Sequence, residues 1–165
     1  MLKQMFEIDS LHLDVARQEL IGLVGSREAV RFPVSTAARG PGCGKGTFQT
    51  PHGAHRLRIK IGAGCPQGAV FRARRWTGDV LDPALRQRFP GMDWVLTRIL
   101  WLQGLEPGVN RGGDVDTLRR LVYIHGTHEE DLIGRPVSYG CVRMRNADVA
   151  TLFDLVPTGC RIRIE

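Results

Sequence analysis

Two residues in the last quarter of the chain have the types and spacing for nucleophilic catalysis. His125 lies in Tyr123-Ile124-His125-Gly126-Thr127, and Cys141 in Ser138-Tyr139-Gly140-Cys141-Val142-Arg143, 16 residues later (141 − 125). A free thiol has a pKa of about 8.5 and is mostly protonated near neutrality; a neighbouring imidazole can take its proton and generate the thiolate. Gly140 lets the backbone bend around a reacting carbon. The N–H groups of Gly140 and Cys141 are candidates to face a developing oxyanion. Arg143 suits a substrate carboxylate, which a guanidinium grips through two parallel hydrogen bonds. The chemistry such residues could do is attack of a thiolate on a substrate carbonyl carbon. On residue types alone a second reading stays open, in which Cys141 is a buried structural thiol and His125 a histidine at a strand end.

A strand, a loop and a return must bring this pair together. Leu121 to His125 reads as a short apolar strand, followed by a polar loop with Gly134 and Pro136. Asn146 is placed as a helix N-cap. Beyond it Val149, Leu152, Phe153 and Val156 recur at helical spacing, until Pro157 and Gly159 stop the helix. Upstream, Phe6, Ile8, Leu11, Leu13 and Val15 alternate with a register break near Asp9-Ser10. Leu20 to Val24 and Ala29 to Thr36 flank a turn at residues 25–28. Residues 39–53 form a long Gly- and Pro-rich loop. Arg56 to Ile61 is a strand, residues 62–68 a second glycine loop, and Ala69 to Trp76 extends again. Pro83 to Phe89 is a short helix and Trp94 to Leu102 a buried strand. Residues 104–116 are a loop, and Arg161 to Glu165 a last strand. The expected fold is mostly β with one or two short helices, a single domain over residues 1–165.

Other motifs compete for attention. Gly44-Lys45-Gly46-Thr47 looks like part of a phosphate loop, but position 39 is Arg and Gly46 stands where Ser or Thr must follow the lysine. Gly62-Ala63-Gly64 lacks the third glycine, since residue 67 is Gln. His52–His55 and His125–His128 are spaced three apart, yet both adjoin Gly in loop-like sequence without an acidic or cysteine ligand at a characteristic spacing. No metal is therefore expected, and His12, His52, His55 and His128 read as surface or loop histidines.

The bulk numbers fit this picture. The 165 residues suffice for one core-forming domain. The net charge of +6 suits an anionic partner, whether nucleic acid, anionic lipid or an anionic polymer such as cell wall, and equally a plain solvated basic face. With 7 % aromatics and no nucleic-acid motif, nucleic acid is not expected. Cys43, Cys65, Cys141 and Cys160 are irregularly spaced, against a disulfide framework. No apolar run approaches a membrane span, so no membrane insertion is expected. The N-terminal stretch has no apolar signal-peptide core, which leaves a cytoplasmic protein, a trimmed form or another export route.

The segment Tyr123–Asn146 resembles the catalytic motif of the YkuD-type L,D-transpeptidases, which reads HGT or HGS followed, after a similar interval, by SHGCxRxxN. His125-Gly126-Thr127, Ser138, Gly140, Cys141, Arg143 and Asn146 match it. Phe32-Pro33-Val34-Ser35-Thr36, Thr50-Pro51-His52-Gly53 and Gly159 to Ile164 resemble further elements of that family, so the likeness touches nearly the whole chain. It implies a β-sandwich-like L,D-transpeptidase domain that needs no metal or organic cofactor. The implied nucleophile is Cys141, the base His125, and the Gly126 carbonyl orients the imidazole. Gly140, Arg143, Ser138 and Tyr139 are implied around the oxyanion and substrate. The implied partner is the peptidoglycan stem peptide: the thiolate attacks the L-centre carbonyl of meso-diaminopimelate, D-alanine leaves, and a second stem's amine closes a 3→3 cross-link. Resolution by water would make an L,D-carboxypeptidase, and loss of activity a wall-binding module. The substrate implies the cell envelope. Tyr139 is a departure, because the family has His there; with a pKa of about 10, tyrosine is a poor base near neutrality.

Overall fold

The computed structural model describes residues 6–165; residues 1–5, the start of the stretch considered for an export signal, lie outside the described residues. Three strands open the chain: β1 (Ser10–Asp14), β2 (Glu19–Val24) and β3 (Arg27–Pro33). They form an antiparallel meander in which Leu11, Leu13 and Leu20 turn inward, as their period-two alternation demands. Then follow β4 (Gly53–Ile61), β5 (Ala69–Arg72), β6 (Arg75–Val80), α1 (Pro83–Arg88) and β7 (Val95–Gly104). The chain ends with β8 (Tyr123–Gly126), β9 (Val142–Met144), α2 (Asn146–Leu155) and β10 (Arg161–Ile164).

Among the described residues the sheet runs β3-β2-β1-β10-β4-β7-β5-β6, and β8 branches from β7 to carry β9. Two pairings are parallel, β1 with β10 and β8 with β9. The branch is made by β7. Its outer half pairs with β4 on one edge and β8 on the other, while Val95 and Leu96 pair with β5. A register shift between Leu96 and Ile99 bends the strand there, and Thr97 at that bend has φ of 73°.

Helix α2 covers the branch. Val149, Leu152 and Phe153 pack with Leu100 and Leu102 of β7, Ile124 of β8, and Val142 and Met144 of β9. Burying each such side chain contributes about 1.5–3 kcal/mol, so α2 is held by its apolar face rather than by its caps. This packing fixes β8 and β9, the two strands that carry the candidate pair.

Four local expectations need correction. Asn146 is not the N-cap: Arg145 is, and the Asn146 side chain is turned into the protein. Residues 69–76 are not one extended run. Ala73 and Arg74 both have positive φ, 48° and 63°, and turn β5 into β6 through the two-residue hairpin that such angles make. Leu121 lies before β8, with φ of 58°, and kinks the chain into the strand. His12 stands in β1 beside Glu165, Nε2 3.0 Å from the carboxylate, and His55 in β4 is fully buried, so neither is a loop histidine. In α1, Asp82 caps through Oδ1, which accepts from the Leu85 N–H at 2.7 Å, and Pro83 follows.

Candidate active site

The parallel pairing of β8 with β9 sets the geometry. Ile124 lies opposite Val142 and His125 opposite Arg143, which brings Cys141 level with Tyr123. Since alternate residues share a face, Tyr123, His125, Cys141 and Arg143 lie on one side of the sheet. The Tyr123 N–H points at Cys141 Sγ, 3.4 Å away, and Sγ–H points at the Leu121 carbonyl, 3.6 Å away. The thiol packs in an apolar pocket with Phe71, Ile99, Tyr123 and Trp101.

His125 is 1 % exposed. Its Nδ1 donates to the Gly126 carbonyl at 2.7 Å, which leaves Nε2 as the basic atom. Burial pushes the imidazole pKa below its ordinary value; the Gly126 carbonyl and Asp93 pull the other way. Burial pushes the Cys141 thiol up to about 11, with the Tyr123 N–H opposing. Burial thus disfavours the charged form of both groups, the thiolate of Cys141 and the imidazolium of His125.

The Cys141 turn is braced on both sides. Gly140 has φ of 130°, and its N–H donates to Ser138 Oγ at 3.2 Å. Ser138 Oγ–H donates to the Cys141 carbonyl at 2.6 Å. Thr50 Oγ1 donates to the Gly140 carbonyl at 2.9 Å and accepts from the Ala37 N–H at 3.0 Å. Of the two backbone donors expected near the oxyanion, Gly140 is thus turned toward Ser138. The Cys141 N–H has no partner among the described residues.

Arg143 is not open to ligand. It is 3 % exposed; Nη2 meets Asp93 at 2.9 Å and Nη1 meets Glu129 at 3.4 Å. Tyr139 is 64 % exposed, with its ring centroid 5.5 Å from the Arg143 guanidinium.

Sequence reasoning missed a buried network behind the pair. Asn146 Oδ1 accepts from Thr97 Oγ1 at 2.6 Å, and its Nδ2 donates to the Thr127 carbonyl at 2.8 Å and to Glu130 at 2.5 Å. A Cβ on Gly126 would stand 2.2 Å from Asn146 Oδ1 and 2.7 Å from the Leu96 carbonyl. Gly126 is glycine because these groups approach it. Arg120 was also missed. It donates to the carbonyls of Gly42 and Gln49 at 3.2 and 2.6 Å, next to Leu121.

The decoys separate. His52 is exposed, while His55 bonds Gly53 O and Thr117 Oγ1 at 3.0 and 2.9 Å. Among the described residues no three His, Cys, Asp or Glu side chains are grouped to hold a metal. No helix of the described residues is long and apolar enough to cross a membrane.

Known proteins resemble this chain in sequence and fold. The family model of the L,D-transpeptidase catalytic domain, YkuD, matches residues 9–164. YqjB of Bacillus subtilis, named as a candidate L,D-transpeptidase, is 47 % identical over 121 residues, 73 % of this chain and 54 % of its own length. The chain thus spans about half of that relative. An L,D-transpeptidase structure from Xylanimonas cellulosilytica superposes with a TM-score of 0.57 at 18 % identity, over 98 % of this chain and 62 % of the other. L,D-transpeptidase 3 of Mycobacterium tuberculosis, solved with a faropenem-derived adduct, gives 0.56 at 13 % identity, over 94 % and 59 %.

Proposed function

Because the chain belongs to the L,D-transpeptidase catalytic domain family of YkuD type, we propose that it is a cysteine-dependent L,D-transpeptidase acting on peptidoglycan stem peptides. One observation carries the reading: the β8–β9 register sets an oriented imidazole and a thiol on one face, with Nδ1 of His125 tied to Gly126. His125 Nε2 takes the Cys141 proton as Sγ attacks the carbonyl carbon of the L-centre of diaminopimelate. The carbonyl electrons move to oxygen, to which the Cys141 N–H, without a partner among the described residues, can donate. They return as the C–N bond breaks, and His125 gives its proton to the departing D-alanine amine. A thioester remains on Cys141. The amine of a second stem, deprotonated by His125, attacks it, restores the thiol and forms the 3→3 cross-link.

Gly126 orients the base; Ser138 and Gly140 shape the turn; Arg143, held by Asp93 and Glu129, supports the face rather than the substrate. Tyr139 shields Arg143 from the cleft. No metal or organic cofactor enters these steps, and the substrate puts the work in the cell envelope.

The test is product analysis on a tetrapeptide stem with the native protein, Cys141→Ala and His125→Ala. Native protein should release D-alanine and yield dimer when an acceptor is present, and both variants should be inert though folded. Hydrolysed stem without dimer would assign an L,D-carboxypeptidase instead. Substantial turnover by Cys141→Ala would overturn the assignment.

A further inference from the structure

A cleft of about 630 Å³ opens beside Cys141, with Lys45, Arg119, Arg120, Leu121 and Tyr139 in its walls. Two of its lining residues, Tyr139 and Leu121, border Cys141. Tyr139 lies two residues before Cys141, and the Leu121 carbonyl is the acceptor for Sγ–H. Its three basic side chains, Lys45, Arg119 and Arg120, outnumber its two acidic ones, Asp114 and Asp116. Asp116 spends its carboxylate on the N–H groups of Gly112 and Arg119, at 2.7 and 2.9 Å, and Asp114 is exposed.

Arg120 differs from the other arginine of the site. Arg143 already holds two carboxylates and is shut from solvent. Arg120 is half-buried and ion-pairs with no carboxylate among the described residues. Its guanidinium is fixed by the carbonyls of Gly42 and Gln49, which use two of its five N–H groups and leave its charge uncompensated. A pre-positioned, partly desolvated cation of this kind is a receptor for an anion.

We propose that Arg120 binds the C-terminal carboxylate of the stem residue that leaves when Cys141 is acylated. This rests on the L,D-transpeptidase reading above. That carboxylate sits one residue beyond the scissile carbonyl, about 3.8 Å in chain terms, so an anchor beside the nucleophile can reach it. The device is selective for position. A longer stem would place a neutral amide against Arg120, so the site cleaves before the last residue. The same charge favours the bound stem over one already shortened by a residue.

The experiment compares a tetrapeptide stem bearing a free terminal carboxylate with the same stem bearing a terminal amide, following release of the last residue. The native protein should favour the acid by at least tenfold in kcat/KM, chiefly through KM. Arg120→Gln should bring the two substrates to near parity, the loss falling far more on the acid than on the amide. Arg120→Lys should restore part of the preference, and Arg119→Gln should leave it intact. A preference that survives Arg120→Gln overturns the proposal. So does an equal loss on both substrates, which would mean that Arg120 merely anchors residues 42–49. Native protein that treats acid and amide alike refutes the carboxylate receptor and leaves the transpeptidase reading standing. Native protein that releases nothing from either refutes both.

Discussion

Replacing Gly126 with Ala tests the geometry of the base without removing the atom that orients it. The variant keeps the carbonyl that accepts from His125 Nδ1. It adds one methyl, which would meet Asn146 Oδ1 at 2.2 Å and the Leu96 carbonyl at 2.7 Å. The second contact is with backbone at the bend of β7, so neither neighbour yields easily. Overpacking a filled interior costs about 1–3 kcal/mol. Displacing Asn146 also loosens its bonds to Thr97 and the Thr127 carbonyl, at about 1 kcal/mol each. The sum is about 3–5 kcal/mol, which for a domain of this size lowers Tm by roughly 10 °C. The carbonyl must also shift, and with it the imidazole; a misplacement of about 1 Å is enough for a loss of about a hundredfold in reaction rate. Thermal unfolding followed by circular dichroism, paired with the acylation rate by a β-lactam, measures both effects. A Gly126→Ala protein with native Tm and native acylation would refute the packing argument.

The remaining expectations share these assays. A carbapenem or penem should add one inhibitor mass to the folded, reduced protein, and peptide mapping should place it on Cys141; absence of an adduct would favour a wall-binding module. Stability should fall as pH drops from 6.5 toward 4. Burial holds His55 down at about 4, so the unfolded chain takes up that proton first, and the full difference is about 3 kcal/mol. His125, lowered in the same direction, adds to it. Urea unfolding at pH 7.5 and 4.5 should differ accordingly, and equal midpoints would contradict the burial of His55. Tyr139→Phe should acylate at the native rate, because the hydroxyl makes no hydrogen bond among the described residues and the ring still covers Arg143. Tyr139→His should stay within about tenfold, near 1.4 kcal/mol; a much slower folded variant would make Tyr139 a working part of the site.

Periodicity made most of the fold legible. The alternation through Leu11, Leu13 and Leu20 and the helical spacing of Val149, Leu152 and Phe153 each reflect one buried face, and the apolar run in β7 reflects a strand buried on both, Ile99 on one side and Leu100 and Leu102 on the other. What escaped was set by contacts distant in sequence. Nothing local to Arg143 foretells Asp93, 50 residues upstream, as its partner. Asn146 looks like a cap by position, yet its side chain is claimed by Thr97 and Thr127. The histidine pairs were weighed at helical spacing. In an extended chain residues three apart face opposite ways, which is how His52 comes to be exposed and His55 buried. Thr97, β-branched and at φ of 73°, has no sequence signature at all.

The electrostatics of the pair explain how a thiol held near 11 can still serve. A thiolate–imidazolium pair in the resting protein would require two charges in a site that burial has made unfavourable for both. On the proposed mechanism the uncharged pair avoids that cost, and charge would develop only as Sγ attacks and the proton moves to Nε2. Groups that favour negative charge then act on the transition state more than on the ground state, which is the condition for accelerating a step. On the proposed mechanism the Cys141 N–H would have this property for the oxyanion. Asp93 supports the same moment from the other side, since its carboxylate favours the imidazolium. On that mechanism reactivity would belong to an electrophile that sits in the cleft with its carbonyl over the pair, and would follow the protonation of His125 rather than the free ionisation of Cys141. The strained bend at Thr97 and the buried Asn146 bonds fit this logic. They fix β8 against β7 so that the base does not have to be found each time a substrate arrives.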